Sequence, residues 1–153
     1  MKFIHVLAIL TFVSSTTLMA GFAATDKLVQ EAREVAGEMP ASILKKMIDN
    51  EEAIVLLDIR DADQRTGGEI YADETYVLSR GKLEFEIANL IKDKSTVIVT
   101  YCIAGNSSAL AAYTLRRLGY KNATTLKNGM KAWAKAGYPI EIGFGSAIFN
   151  NEE

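Results

Sequence analysis

Two rhythms alternate along this 153-residue chain: short continuous apolar runs of strand length, and longer stretches where apolar residues recur every three or four positions. Ile54-Val55-Leu56-Leu57, ending at Asp58, and Thr96 to Tyr101 are the strong runs. Their lack of polar alternation suits parallel strands covered on both faces. Weaker strands are expected at Tyr76-Val77-Leu78 and Ala123-Thr124-Thr125-Leu126. Helical spacing runs from Asp26 to Glu38, with Leu28, Val29, Ala32, Val35 and Ala36 on one side, and this helix is expected on the outside of the domain. Pro40-Ala41-Ser42 opens a second helix with Ile43, Leu44, Met47 and Ile48 as its apolar face and Asp49-Asn50 at its close. Leu83 to Ile91 turns Leu83, Ile87, Leu90 and Ile91 inward, and Ser108 to Leu118 does the same with Ala111, Leu115 and Leu118 before Gly119 ends it. A last helix, Met130 to Ala136, stops at Gly137 before Pro139, while Ala62 to Thr75 reads as loop with at most a helical turn. Strands alternating with helices predict an α/β domain built on a largely parallel sheet.

The first residues follow a different pattern. Lys2 precedes an apolar stretch from Phe3 to Val13, interrupted by His5 and Thr11, and small residues follow through Ala24. This is the layout of a secretory signal, since the apolar core falls short of the ~20 residues that span a bilayer. Cleavage is expected after Ala23, or after Ala20, giving an exported, periplasmic protein with no stable membrane anchor after processing. The expected organisation is a signal peptide over 1–23, an N-terminal helical segment over 24–40, a single domain over 41–142 and a C-terminal tail over 143–153.

Composition narrows the chemistry. With 17 basic and 19 acidic side chains the formal net charge is −2, and the charges are mixed along the chain, so no nucleic-acid partner is expected. The single histidine, His5, lies in the expected signal segment, so processing would remove any basis for a Cys-His or Ser-His-Asp arrangement. Cys102 is the only cysteine, which precludes an internal disulfide and a convincing zinc site, and no metal or other cofactor is expected. It stands between the run Val97-Ile98-Val99-Thr100-Tyr101 and the helix expected from Ser108. A thiol at such a strand-to-helix turn faces the positive end of a helix, where backbone N–H groups hold a thiolate and any anion bonded to it.

The ordered set Leu57-Asp58-Ile59-Arg60, Arg80-Gly81-Lys82-Leu83-Glu84-Phe85, Tyr101-Cys102-Ile103-Ala104-Gly105-Asn106, Ala111-Ala112, Leu118-Gly119-Tyr120 and Gly129-Met130-Lys131-Ala132-Trp133 resembles a single rhodanese domain across roughly Ala41 to Ile140. The resemblance implies the rhodanese-like α/β fold, a central, mostly parallel sheet with helices on both faces and the active loop at the carboxyl end of a strand. It implies a sulfurtransferase that carries sulfane sulfur covalently as a persulfide on Cys102. Ile103, Ala104, Gly105, Asn106, Ser107 and Ser108 would then form the loop that binds the persulfide. The implied partners are a small sulfur donor, such as polysulfide or thiosulfate, and a thiol acceptor that can be another protein.

Three positions depart from the family pattern. Ser107 stands where an arginine usually closes the loop, and a hydroxyl cannot grip the sulfonate of thiosulfate through two charge-assisted bonds. Glu69 takes the place of a histidine, and Asn128 that of the first glycine of a pair. Arg80 and Arg60 are the leading candidates for a replacement cation, although Asp58 and Glu84 offer each a structural partner. Related phosphatases and arsenate reductases have their arginine one residue later, where this chain has Ser108, so phosphate chemistry is not expected. The competing expectation is a module that keeps fold and thiol and binds sulfur or a protein partner without efficient turnover.

Overall fold

The computed structural model describes residues 23–143 and 145–148. Of the expected signal segment and its cleavage sites, only Ala23 lies within the described residues, and the expected tail is described only in part. The chain runs through α1 (23–36), β1 (Glu38–Met39), α2 (Ala41–Asp49), β2 (Ile54–Asp58), β3 (Thr75–Val77), α3 (Leu83–Leu90), β4 (Val97–Tyr101), α4 (Asn106–Arg117), β5 (Asn122–Leu126), α5 (Gly129–Lys135), β6 (Ile140–Ile142) and β7 (Gly145–Ala147). Short 3-10 turns cover Ala62–Arg65 and Arg80–Lys82.

Five strands form one sheet in the order β1-β5-β4-β2-β3, and every neighbouring pair is parallel. The α/β architecture with helices on both faces therefore stands as expected. All five residues of β2 are buried, which is why its sequence shows no polar alternation. The pleat sends Val55 and Leu57 to one face, where they join Leu83, Ile87, Ala111 and Leu115 from α3 and α4. Ile54 and Leu56 face the other way and pack with Leu44 of α2 and Met130 and Trp133 of α5. From β2 the chain continues to the β3 edge, whereas from β4 it continues to β5 on the opposite side. The carboxyl ends of β2 and β4 thus flank the switch point where open parallel sheets place ligands.

Several expected boundaries shift for physical reasons. α1 ends at Ala36 because Gly37 takes a left-handed φ of 74°, so Glu38 enters β1 and pairs with Thr125. Its buried stripe is narrower than the periodicity suggests: Val29, Ala32 and Ala36 are covered, and Leu28 and Val35 stay exposed. Ile43, Leu90 and Leu118, each expected inward, are also exposed, because they lie at the margins of their helices' apolar faces. The hairpin β6–β7 was not anticipated, since Ile140 to Ala147 shows no clear alternation. Glu69 pairs with Glu141 through two backbone hydrogen bonds of 2.9 and 2.8 Å, joining the loop after β2 to this hairpin.

At the carboxyl end of β2, Asp58 and Arg60 form an ion pair with an Nη2–Oδ2 distance of 2.6 Å and neither side chain exposed. The guanidinium donates from Nε to both Asp58 oxygens, from Nη1 to the Gln64 carbonyl and Met130 Sδ, and from Nη2 to the Gly68 carbonyl. Burial alone would lower the Arg60 pKa, but the hydrogen bonds and charge of Asp58, aided by Tyr101, hold it above the ordinary guanidinium value. Burial, then the charge and hydrogen bond of Asp58, push the Tyr101 phenol upward, so its hydroxyl stays protonated and donates to Asp58 Oδ2 at 2.9 Å. Removing one partner strands a charge in a site that water does not reach. Asp58→Ala is expected to lower the unfolding free energy by about 3–5 kcal/mol, measured by equilibrium urea denaturation. A loss below about 1 kcal/mol would show that the pair does not hold this end of the sheet.

Candidate active site

β4 ends at Tyr101, and the next four residues curl tightly into α4. The curl depends on Gly105, whose φ of 90° and ψ of −10° are left-handed and cost other residues strain. It also depends on the approach of a second loop. A Cβ on Gly129 would sit 2.3 Å from the Cys102 carbonyl oxygen and 2.8 Å from Gly105 N, so only glycine fits there. Asn128 precedes it with φ 57°, a left-handed conformation that asparagine tolerates better than most residues. The backbone N–H groups of Met130 and Lys131 then donate to the carbonyls of Cys102 and Ile103 at 2.9 and 3.0 Å. These bonds turn the loop's carbonyls toward α5.

Cys102 is 7% exposed and sits beneath an open recess of about 240 Å³ lined by Gln64, Cys102, Ile103, Ala104, Asn106 and Ser107. The N–H of Gly105 donates to its Sγ at 3.2 Å, and the thiol lies 3.5 Å from Ser108 Oγ. Ser108 is fully buried, and its hydroxyl meets Thr125 Oγ1 at 2.8 Å, which in turn donates to the Thr100 carbonyl at 3.3 Å. Ser107, by contrast, is exposed at the rim. α4 begins at Asn106, two residues earlier than its periodicity suggests. The first N–H groups of a helix have no carbonyl of their own helix to meet, so they lend this end a partial positive charge.

The structure thus assembles Cys102 and the loop from Ile103 to Ser108 in one place. It does not bring the two arginines there. Arg60 has all its N–H groups engaged by acceptors inside the protein, which leaves none to face the recess. Arg80 is half-exposed but is turned toward α3 and α4, donating to both Glu84 oxygens at 2.8 and 3.1 Å and to Thr114 Oγ1 at 3.2 Å. Among the described residues, no guanidinium lines the recess. Gln64 is a wall residue that the sequence did not suggest, because it lies in a polar loop without a motif; a 3-10 turn and the Arg60 contact to its carbonyl hold it there.

The interlock of the two loops makes a clear steric forecast. Gly129→Ala should cost at least about 2 kcal/mol of stability, because both φ and space are wrong for a side chain. Gly81→Ala, where nothing lies within 4 Å, should change stability by less than about 0.5 kcal/mol. Thermal or urea unfolding of both variants tests this, and equal effects would mean that the loops do not interlock.

Comparison with known proteins agrees with this architecture. A sulfurtransferase of Allochromatium vinosum is 28% identical over 106 residues, covering 69% of this chain and 95% of that protein. A solved polysulfide-sulfur transferase of Wolinella succinogenes shares 28% identity and a TM-score of 0.68, over 78% of this chain and 88% of that one. A Rhodopseudomonas palustris protein of unknown function, described as a possible tyrosine phosphatase, superposes with a TM-score of 0.70 at 28% identity, over 76% of this chain and 93% of that one. Residues 40–136, from the start of α2 to the end of α5, match the rhodanese-like domain. The parallel sheet, the thiol loop at its switch point and this match over most of the length converge, and the chain belongs to the rhodanese-like domain family.

Proposed function

We propose that this protein is a sulfurtransferase that carries sulfane sulfur on Cys102 as a persulfide. The observation that carries the reading is the setting of Cys102 Sγ, which receives the Gly105 N–H at 3.2 Å at the start of α4 and borders an open recess. The names of the Allochromatium and Wolinella relatives support sulfur transfer as the reaction class. In the first step the Cys102 thiolate attacks a sulfane sulfur of the donor. Its electron pair forms the new S–S bond, and the donor's own S–S bond breaks, so a shortened polysulfide, or sulfite from thiosulfate, leaves with that pair. In the second step an acceptor thiolate or cyanide attacks the terminal sulfur, and Cys102 departs as thiolate. Between the two steps the persulfide's negative charge rests among the N–H groups from Ile103 to Ser108.

The proposed donor is a polysulfide or another protein's persulfide. Both offer sulfur without a sulfonate, so neither requires the bidentate cation that Ser107 does not supply. The acceptor would be a thiol, and the activity would operate after export.

Loading is the direct test. Protein purified from an export-competent host is incubated with polysulfide, or with thiosulfate, and its intact mass is measured before and after a reductant. One reducible sulfur atom added to the parent, and none to Cys102→Ser, is expected with polysulfide. Absence of any added sulfur with both donors would overturn the proposal. The same spectrum gives the mature N-terminus and so tests cleavage after Ala23 or Ala20.

Ser107→Arg addresses the donor. Restoring an ionic hydrogen bond should raise thiosulfate turnover about ten- to hundredfold, while polysulfide loading changes little. Full thiosulfate turnover in the parent, with little change in the variant, would show that the missing arginine does not set donor choice.

A further inference from the structure

α1 precedes the matched family region, yet it reaches the thiol loop. Val29 and Ala32 pack on Ala109 of α4, with Leu110 and Tyr113 beside them. The same face carries Arg33, whose Nη2 donates to Asn106 Oδ1 at 2.8 Å across 73 residues of sequence. Glu38 of β1 holds the other side of the guanidinium, with Oε1 3.2 Å from Nε. The C-terminal end of α1 is fixed by Arg116 Nη2 on the Ala36 carbonyl at 3.5 Å and by Thr124 Oγ1 on the Gly37 carbonyl at 3.0 Å. Asn106 is both the first residue of α4 and a wall of the recess above Cys102.

An arginine can only donate, so the Asn106 amide must turn its oxygen toward Arg33. The polarity left for a ligand in the recess is that of the NH2 group. If released, the amide is free to rotate and to offer its oxygen, an acceptor that repels an anion. We infer that Arg33 is a positioning residue: it fixes Asn106 as a hydrogen-bond donor to the anionic sulfur species in the recess, making α1 part of the binding site. The guanidinium bonded to Oδ1 also polarises the amide, strengthening its N–H groups as donors. The inference deepens the proposed function and rests on that reading for the identity of the anion, though not for the preference for negative charge.

The test compares alkylation of Cys102 by iodoacetate, which is anionic, and iodoacetamide, which is neutral and reports thiol reactivity and folding. Rates are measured for the parent, Arg33→Met, Arg33→Lys, Asn106→Ala and the Arg33→Met/Asn106→Ala double variant. Arg33→Met should lower the iodoacetate-to-iodoacetamide ratio about three- to tenfold, and Arg33→Lys should recover part of it. Asn106→Ala should lower the ratio by a similar factor, and adding Arg33→Met should then change it less than about twofold. An unchanged ratio in Arg33→Met, or the same fall in the Asn106→Ala background, overturns the inference. If Arg33→Met does not fold, an unchanged ratio in Asn106→Ala overturns it equally. Polysulfide loading of the parent separates the two readings. A parent that fails to load while the ratio falls as expected removes the sulfur-transfer reading and keeps the role of Arg33. A parent that loads with an unmoved ratio does the reverse.

Discussion

The buried pair of Asp58 and Arg60 is the constraint around which the site is arranged. A charge pair in a place without water is stable only when nearly every hydrogen-bonding group is met, and here each demand draws in another segment. Asp58 engages Tyr101 at the end of β4, so the two central strands finish in register at the point where their loops diverge. Arg60 binds the carbonyls of Gln64 and Gly68, pulling the loop after β2 inward, and it touches Met130 of α5. The backbone of Met130 in turn holds the Cys102 carbonyl. A single desolvated contact thereby coordinates three of the segments that surround the thiol, without itself facing a ligand.

The loop is held mainly by backbone, so side chains along it differ in what they decide. Asn128 occupies a left-handed position that asparagine tolerates, so the turn forms there without glycine. Ser107 differs, because its side chain lies exposed at the rim of the recess, where a substitution changes the recess surface rather than how the loop folds. Glu69 joins the sheet-edge loop to β6 through its backbone, an arrangement to which its carboxylate is incidental.

The central strands, the helices on both faces and the position of Cys102 were legible because each is written locally. β2 and β4 are apolar on both faces, and their loops carry glycine where a positive φ is required. What remained hidden depends on distance or on weak patterning. Arg33 sits on a helix whose periodicity overstates its buried stripe, and nothing near it in sequence points to Asn106. Arg60 was legible as a residue with a partner, but its complete enclosure arises from carbonyls contributed by a loop without a motif. The β6–β7 hairpin has too few residues, and too little alternation, to announce itself.

The row of hydroxyls behind the thiol has a consequence of its own. Ser108 and Thr125 carry one proton each, so the chain from Cys102 to the Thr100 carbonyl has two self-consistent orientations. With a protonated sulfur, every hydroxyl points away from it and the last meets the carbonyl. With an ionised sulfur, both reverse and point toward it. The interior beneath Cys102 can therefore answer a change of charge by rotating two hydrogens while every heavier atom stays in place, much as a shell of water would, but with the water already built into the fold.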